Sequence, residues 1–251
     1  MVYSHSGAGK TIVLLHGFLE DRTMWNDYVS RWKKDYQIIA IDLLGQGDSG
    51  NLGYSHSMEE QASAVLSVLD SEKIVLCAMV GHSMGGYVAL ALAQKRPELV
   101  THLVLFHSTA FADSESKRQD RDRVIELAKR NKLIYIKAVI PSLFADQARN
   151  RLSEDIEKLV DRANQFTVQG IVANLQGMKD RADRSGVLKN GDFKKLIIHG
   201  ELDSVISLSD MHKLEALAPM IKLELVSSIG HMGHLESPDE CFALIDNMIA
   251  N

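Results

Sequence analysis

Short, unbroken apolar runs alternate with segments of helical spacing along most of this chain. Residues 12–15, 37–41, 74–80, 102–106, 195–199 and 221–226 are brief apolar stretches, most of them rich in β-branched side chains. Such runs predict strands buried on both faces. Between them, apolar positions recur three and four apart. Trp25, Tyr28 and Val29 form one set, Ala62, Val65, Leu66 and Leu69 a second, and Val88, Ala91 and Leu92 a third. Residues 208–217 form a further helix, and Cys241, Leu244, Ile245 and Met248 mark a last one. Ser57 with Glu60 reads as a capping box, and so does Ser237 with Glu240, with Pro238 at the first helical position. Regular alternation of strand and helix predicts an α/β fold with a parallel sheet and right-handed crossovers.

The alternation lapses between residues 113 and 189, where no strand-like run occurs. Val124, Leu127 and Ala128 mark one amphipathic helix there, and Ile156, Leu159, Val160 and Ala163 another, with Pro141 separating two segments between them. The expected organisation is a core of residues 1–112 and 190–251 interrupted by a helical insert, 113–189. An insert of that length inside an α/β fold is usually functional. It holds 16 Lys and Arg against 12 Asp and Glu, a net +4, so the remainder carries −9 of the overall −5. A basic insert suits an acidic substrate, and a solvated helical face gives the same count.

Composition narrows the function classes. With 45% hydrophobic and 24% charged residues, the 251-residue chain is ordinary for a globular protein, and a net charge of −5 argues against nucleic-acid binding. Residues 1–10 lack an apolar signal core, and the longest apolar runs, 74–80 and 87–93, are too short to span a membrane. Cys77 and Cys241 form neither a disulfide framework nor a metal pattern. A cytoplasmic, reduced protein without a metal or membrane partner is expected. Gly7-Ala8-Gly9-Lys10-Thr11 imitates the end of a phosphate-binding loop. The required first glycine is replaced by Ser4, and a strand rather than a helix follows. The segment is expected to be a hairpin turn between a short edge strand, 2–4, and the next strand, with no nucleotide cofactor.

The chemistry gathers around Gly81-His82-Ser83-Met84-Gly85-Gly86, between a strand and a helix. That context makes Gly81-x-Ser83-x-Gly85 a nucleophile elbow, in which a sharp turn presents the serine above the sheet. A serine hydroxyl needs a base, and the base needs an acid to fix its tautomer. Loops after later strands supply both: Glu201 and Asp203 after 195–199, His231 and His234 after 221–226. An oxyanion needs two N–H donors. Met84, next to the serine, offers one, and Phe18, in the His16-Gly17-Phe18 loop after strand 12–15, offers the other. Asp42 and Asp48 are expected to brace their glycine-rich loop, Trp25 to pack in the core, and His16 and His82 to pack with a satisfied hydrogen bond.

His16-Gly17-Phe18, the 42–49 loop, the Gly81–Gly86 elbow, Gly200-x-x-Asp203 and Gly230-His231 jointly resemble the α/β-hydrolase superfamily, most closely its capped, esterase- and lipase-like branch. The resemblance implies the α/β-hydrolase fold, a mostly parallel sheet flanked by helices, with 113–189 as the cap that covers the active site. It also implies a triad of Ser83, Asp203 and His231, favouring Asp203 over Glu201 and His231 over His234. Serine at the nucleophile position excludes the dehalogenases and epoxide hydrolases of the superfamily, which use aspartate. The reaction expected is hydrolysis of a small carboxylic ester through an acyl-serine, without cofactor or metal, by a monomer or small homo-oligomer. Two alternatives use the same triad: elimination of pyruvate, as in menaquinone-pathway members, and hydrolysis of a carbon–carbon bond. The short N-terminus and His16-Gly17-Phe18 resemble the first group, whereas Tyr87 stands where those enzymes often carry arginine. An alternative of another class is a small-molecule receptor that retains the triad.

Overall fold

The computed structural model describes residues 1–251. Seven strands form one sheet: β1 (Tyr3–Ser6), β2 (Lys10–Leu15), β3 (Tyr36–Ile41), β4 (Cys77–His82), β5 (Val100–Phe106), β6 (Lys194–Gly200) and β7 (Ile221–Val226). Their order is β1-β3-β2-β4-β5-β6-β7, with β1 antiparallel to β3 and every other pair parallel. Successive side chains enter opposite cores. Val13, Leu15, Met79, Leu103 and Ile197 face one, while Ile12, Leu14, Val80, Val104 and Ile198 face the other. This two-sided burial is why the strands read as unbroken apolar runs. The helices Met58–Ser71, Met84–Lys95 and Leu208–Glu215 cover the first face, and Asn26–Trp32 and Pro238–Ala250 the second. Trp25 is buried in the second core beside Tyr28 and Phe106, a packing residue as expected.

Six helices link β5 to β6: Glu115–Arg130, Lys132–Ser142, Asp146–Arg149, Ser153–Ala163, Val168–Lys179 and Ser185–Asn190. Ile125, Ala128, Ile136, Ile171 and Leu175 from this segment share one continuous core with Met84 and Val88 of the helix after β4. None of the helices in the chain is long and apolar enough to cross a membrane.

Several local expectations need correction. β1 does not form a hairpin with β2, because β3 lies between them. The intervening glycines, Gly7 at φ 71° and Gly9 at φ 118°, cross the end of β3, where a Cβ on Gly9 would lie 2.9 Å from the Asp35 carbonyl oxygen. β4 starts at Cys77 rather than at residue 74. Its neighbours β2 and β5 begin pairing only there, and Val75 and Leu76 are exposed. Pro141 does not divide two segments but sits in the last turn of Lys132–Ser142, where its missing N–H breaks one bond near the helix end. In Glu115–Arg130 the buried positions are Ile125 and Ala128, and Leu127 is exposed. The Ser57–Glu60 capping box forms. The Ser237–Glu240 box does not, because Ser237 makes no backbone cap and its hydroxyl bonds the Glu240 side chain at 3.0 Å.

Parallel pairing brings the carboxyl ends of β2, β4, β5, β6 and β7 to one edge of the sheet, the usual place for a site in such folds. His16, Ser83, His107, Asp203 and His231 follow those ends in turn. The glycine-rich 7–9 segment lies at the opposite edge, before β2. At the turn after β4, a Cβ on Gly81 would come within 2.5 Å of the Gly85 carbonyl carbon and the Gly86 nitrogen. Gly81→Ala is therefore expected to destabilise the fold by about 3 kcal/mol or more, since backbone cannot yield as a side chain does. Thermal unfolding should show a midpoint roughly 6–12 °C below that of the wild type.

Candidate active site

Ser83 occupies a left-handed backbone conformation, φ 49° and ψ −114°, that costs free energy for any non-glycine residue. Three bonds hold it there. Its N–H donates to the Phe106 carbonyl at 2.9 Å, and its carbonyl accepts from Ser108 Oγ at 2.7 Å and from the Gly86 N–H at 3.0 Å. Beyond it the helix Met84–Lys95 begins with a glycine pair. A Cβ on Gly85 would strike the Leu15 carbonyl of β2, so the helix packs close against the sheet only because that Cβ is missing.

The Ser83 hydroxyl lies 2.9 Å from His231 Nε2, and His231 Nδ1 lies 2.7 Å from Asp203 Oδ2. The structure thus brings together the three residues singled out in the sequence. Asp203 Oδ1 accepts from the N–H groups of Val205 and Ile206 at 2.8 and 3.0 Å. Burial pushes the Asp203 pKa up, but the charge of His231 and hydrogen bonds from His107 and His231 outweigh it and hold the carboxyl well below its usual range. An ionised carboxylate accepts only, so His231 Nδ1 carries the proton and Nε2 presents its lone pair to the serine. Glu201 is exposed and Asp203 alone meets a histidine.

A second buried cluster lies beneath the turn. His82 Nδ1 is 2.7 Å from Glu20 Oε2, and His82 Nε2 is 2.9 Å from the carbonyl oxygen of His231. Both partners are acceptors, which requires a proton on each nitrogen. Burial lowers the His82 pKa, but the charge of Glu20 and its hydrogen bond raise it by more, for a net upward shift. For Glu20, burial raises the pKa and the facing histidines lower it more, to about 2. Glu20 also accepts from the Gly17 N–H at 3.2 Å, and His234 Nε2 stands 3.3 Å from its other oxygen. His82 and His16 are hydrogen-bonded packing residues, as expected. His16 Nε2 accepts from the Leu43 N–H at 2.9 Å. Asp42 accepts from the N–H groups of Arg22 and Asp48 at 2.7 and 2.9 Å, bracing its loop.

Phe18, in the turn after β2, makes no hydrogen bond through its N–H. Met84 supplies the first N–H of its helix, a group such helices leave free. Phe18, Ser83 and His231 line one cavity of about 350 Å³, with Leu19, Tyr87, Val124, Leu143 and Met232 among its apolar walls. The site holds a serine hydroxyl hydrogen-bonded to an imidazole in the wall of a mostly apolar cavity, an arrangement compatible with nucleophilic chemistry.

Sequence reasoning missed the supporting acids and imidazoles. Glu236 accepts from the N–H groups of Gly230, Met232 and Ala145 at 3.0 to 3.1 Å and so fixes the His231 loop. His107, buried with φ 46°, and His199 place Nδ1 atoms 3.4 and 3.6 Å from Asp203 Oδ2. The available signal is positional: Glu20 closes the turn opened by Gly17, Glu236 ends the short helix Gly233–Glu236 just after His231, and His107 and His199 sit at strand ends.

Comparison with known proteins gives the class. A family model for the alpha/beta hydrolase fold matches residues 10–238, and the chain belongs to that family. A Bacillus subtilis protein provisionally named 2-succinyl-6-hydroxy-2,4-cyclohexadiene-1-carboxylate synthase is 29% identical over 245 residues, 92% of this chain and 87% of that protein. The dihydrolipoyllysine-residue acetyltransferase component of an acetoin cleaving system from Pseudomonas putida is 29% identical over 92% of this chain, which spans only 61% of that relative. A thermophilic esterase from Thermogutta terrifontis, solved with malate bound, superposes with a TM-score of 0.92 at 26% identity, covering 98% of this chain and 91% of that one.

The buried imidazoles set the acid sensitivity of the fold. Burial lowers the pKa of His107 to about 3 and that of His234 to about 4, from 6.5. Between those values and 6.5 the unfolded chain binds protons that the folded chain excludes, so stability falls as pH falls. His82, shifted upward, acts above 6.5 in the opposite sense, its stabilisation fading as pH rises. Denaturant titrations should show the unfolding free energy declining from pH 6.5 toward 4. In His107→Gln that slope should be shallower by about one proton.

Proposed function

We propose that the protein is a serine hydrolase that cleaves a small carboxylic ester through an acyl-serine intermediate. The observation that carries this reading is the hydrogen-bonded series Ser83–His231–Asp203, opening into a mostly apolar cavity. His231 Nε2 takes the hydroxyl proton as Ser83 Oγ attacks the acyl carbon. The N–H groups of Met84 and Phe18 hold the oxyanion. His231 then protonates the leaving alcohol, and Asp203 stabilises the imidazolium. Water, deprotonated by the same imidazole, releases the acid. Residues 113–189 act as the cap in this reading, and their side chains form part of the cavity wall. The likeness to the Thermogutta terrifontis esterase supports it.

Triad-dependent elimination of pyruvate is the second reading. It is favoured by the Bacillus subtilis relative, which matches over 92% of the chain, and weakened by Tyr87. Turnover of p-nitrophenyl esters of rising acyl length separates the two. The ester reading expects multiple turnovers by the wild type. It also expects losses of roughly 10⁴-fold in kcat for both Ser83→Ala and Asp203→Asn. Near-normal turnover by folded Ser83→Ala, or none by folded wild type on the whole series, contradicts it.

A further inference from the structure

The cavity above Ser83 is mostly apolar but carries an uneven set of charges. Lys117 and Arg121 from the helix Glu115–Arg130 and Arg181 from just beyond Val168–Lys179 bring three cations to its wall, while Glu20, Asp113 and Asp120 bring three carboxylates. Two of those carboxylates are committed. Glu20 faces His82 and His234, and Asp120 pairs with Arg123, which does not line the cavity. The buried Asp113 carboxylate is left to serve both guanidinium groups, accepting from Arg121 Nε on one oxygen and forming an ion pair with Arg181 Nη1, 2.7 Å from the other. Two positive charges on one carboxylate leave one uncompensated.

The three cations differ in how far they are spent. Arg181 also donates to the carbonyls of Phe111 and Met178 at 3.2 and 2.9 Å, and its head lies 4.1 Å from the Tyr87 ring centre. Beyond Asp113, Arg121 has only the Met178 sulfur, 3.8 Å from Nη1. Lys117 donates only to the Val205 carbonyl, at 3.3 Å. Lys117 and Arg121 are one helical turn apart and meet on one face, so two heads with unused donors share the wall of a partly desolvated cavity. A charge-assisted hydrogen bond from such a pair is stronger than one between neutral groups.

We propose that Arg121 and Lys117 form an anion subsite, and that the ester this protein prefers carries a carboxylate on its acyl chain, as in a monoester of a dicarboxylic acid. The inference rests on the ester-hydrolase reading and names the substrate class for that same site. The carboxylate lies on Arg121 and Lys117 while the ester carbonyl lies on Ser83.

Monomethyl adipate and methyl hexanoate test it, because they differ only in a terminal carboxylate against a methyl, and proton release follows both. The wild type should prefer the adipate monoester by about tenfold or more in kcat/KM, the range of one charge-assisted bond. That ratio should shrink as ionic strength rises. In Arg121→Met the ratio should fall toward one. Should loss of the Asp113 partner unfold that variant, Lys117→Met, whose side chain holds no buried partner, should lower the ratio instead. A wild-type ratio of one or below, or a ratio retained in a folded variant, overturns the subsite. A wild type that cleaves methyl hexanoate without preference overturns it while sparing the ester reading. Failure on both esters, together with the p-nitrophenyl series, overturns that reading as well.

Discussion

The site depends on the turn at Ser83. A serine at φ 49° is held against its own backbone preference, and only the surrounding packing can hold it there. That packing needs bare α-carbons. Gly81 faces the backbone of Gly85 and Gly86, and Gly85 faces the end of β2. Ser83, the first N–H of its helix and the Phe18 loop are thereby drawn to one point at the edge of the sheet. The neighbouring strand ends bring Asp203 and His231 to the same place, since parallel strands finish on the same side. Sheet topology and two glycines thus do most of the positioning, and the side chains complete it.

Charge is confined as strictly as shape. Asp203 and Glu20 are buried and ionised, and each is met by imidazoles and backbone N–H groups rather than by water. Taking a carboxylate out of water costs several kcal/mol unless it is bonded and paired; both Asp203 oxygens accept hydrogen bonds, and Glu20 accepts two on one oxygen while His234 faces the other. The Glu20–His82 pair links the Phe18 loop, the residue before Ser83 and the carbonyl of His231 through three hydrogen bonds. Glu236 does the same for the His231 loop and ties it to Ala145 of the helical segment. His107 and His234 accept a low proton affinity as the cost of this arrangement, which makes the fold sensitive to acid.

Much of this was legible in the sequence where one residue type meets a single geometric demand. Two-sided burial leaves unbroken apolar runs, so five of the six predicted strand runs lay within two residues of their observed bounds. The elbow was readable because a strand, a glycine-flanked serine and a helix occur in order. The predicted β4 run starts three residues before the strand because hydrophobicity cannot tell a paired residue from an exposed apolar one such as Val75. The Gly7–Gly9 segment reads as a hairpin in sequence because glycine marks a turn equally well when it crosses a neighbouring strand. Glu20 and Glu236 were invisible for another reason. A glutamate in sequence is an exposed residue by default, and only the folded chain shows the N–H groups and imidazoles that converge on it.

The central claim is that Ser83 is an activated nucleophile, and covalent capture tests it most directly. The wild type would be treated with an alkyl fluorophosphonate, which forms a stable bond to an activated serine oxygen, and the modified peptide located by mass spectrometry. The account predicts one adduct, on Ser83, formed quickly in the wild type and far more slowly in folded His231→Gln. An adduct on another residue, no adduct on folded protein, or equal labelling without His231 would contradict it.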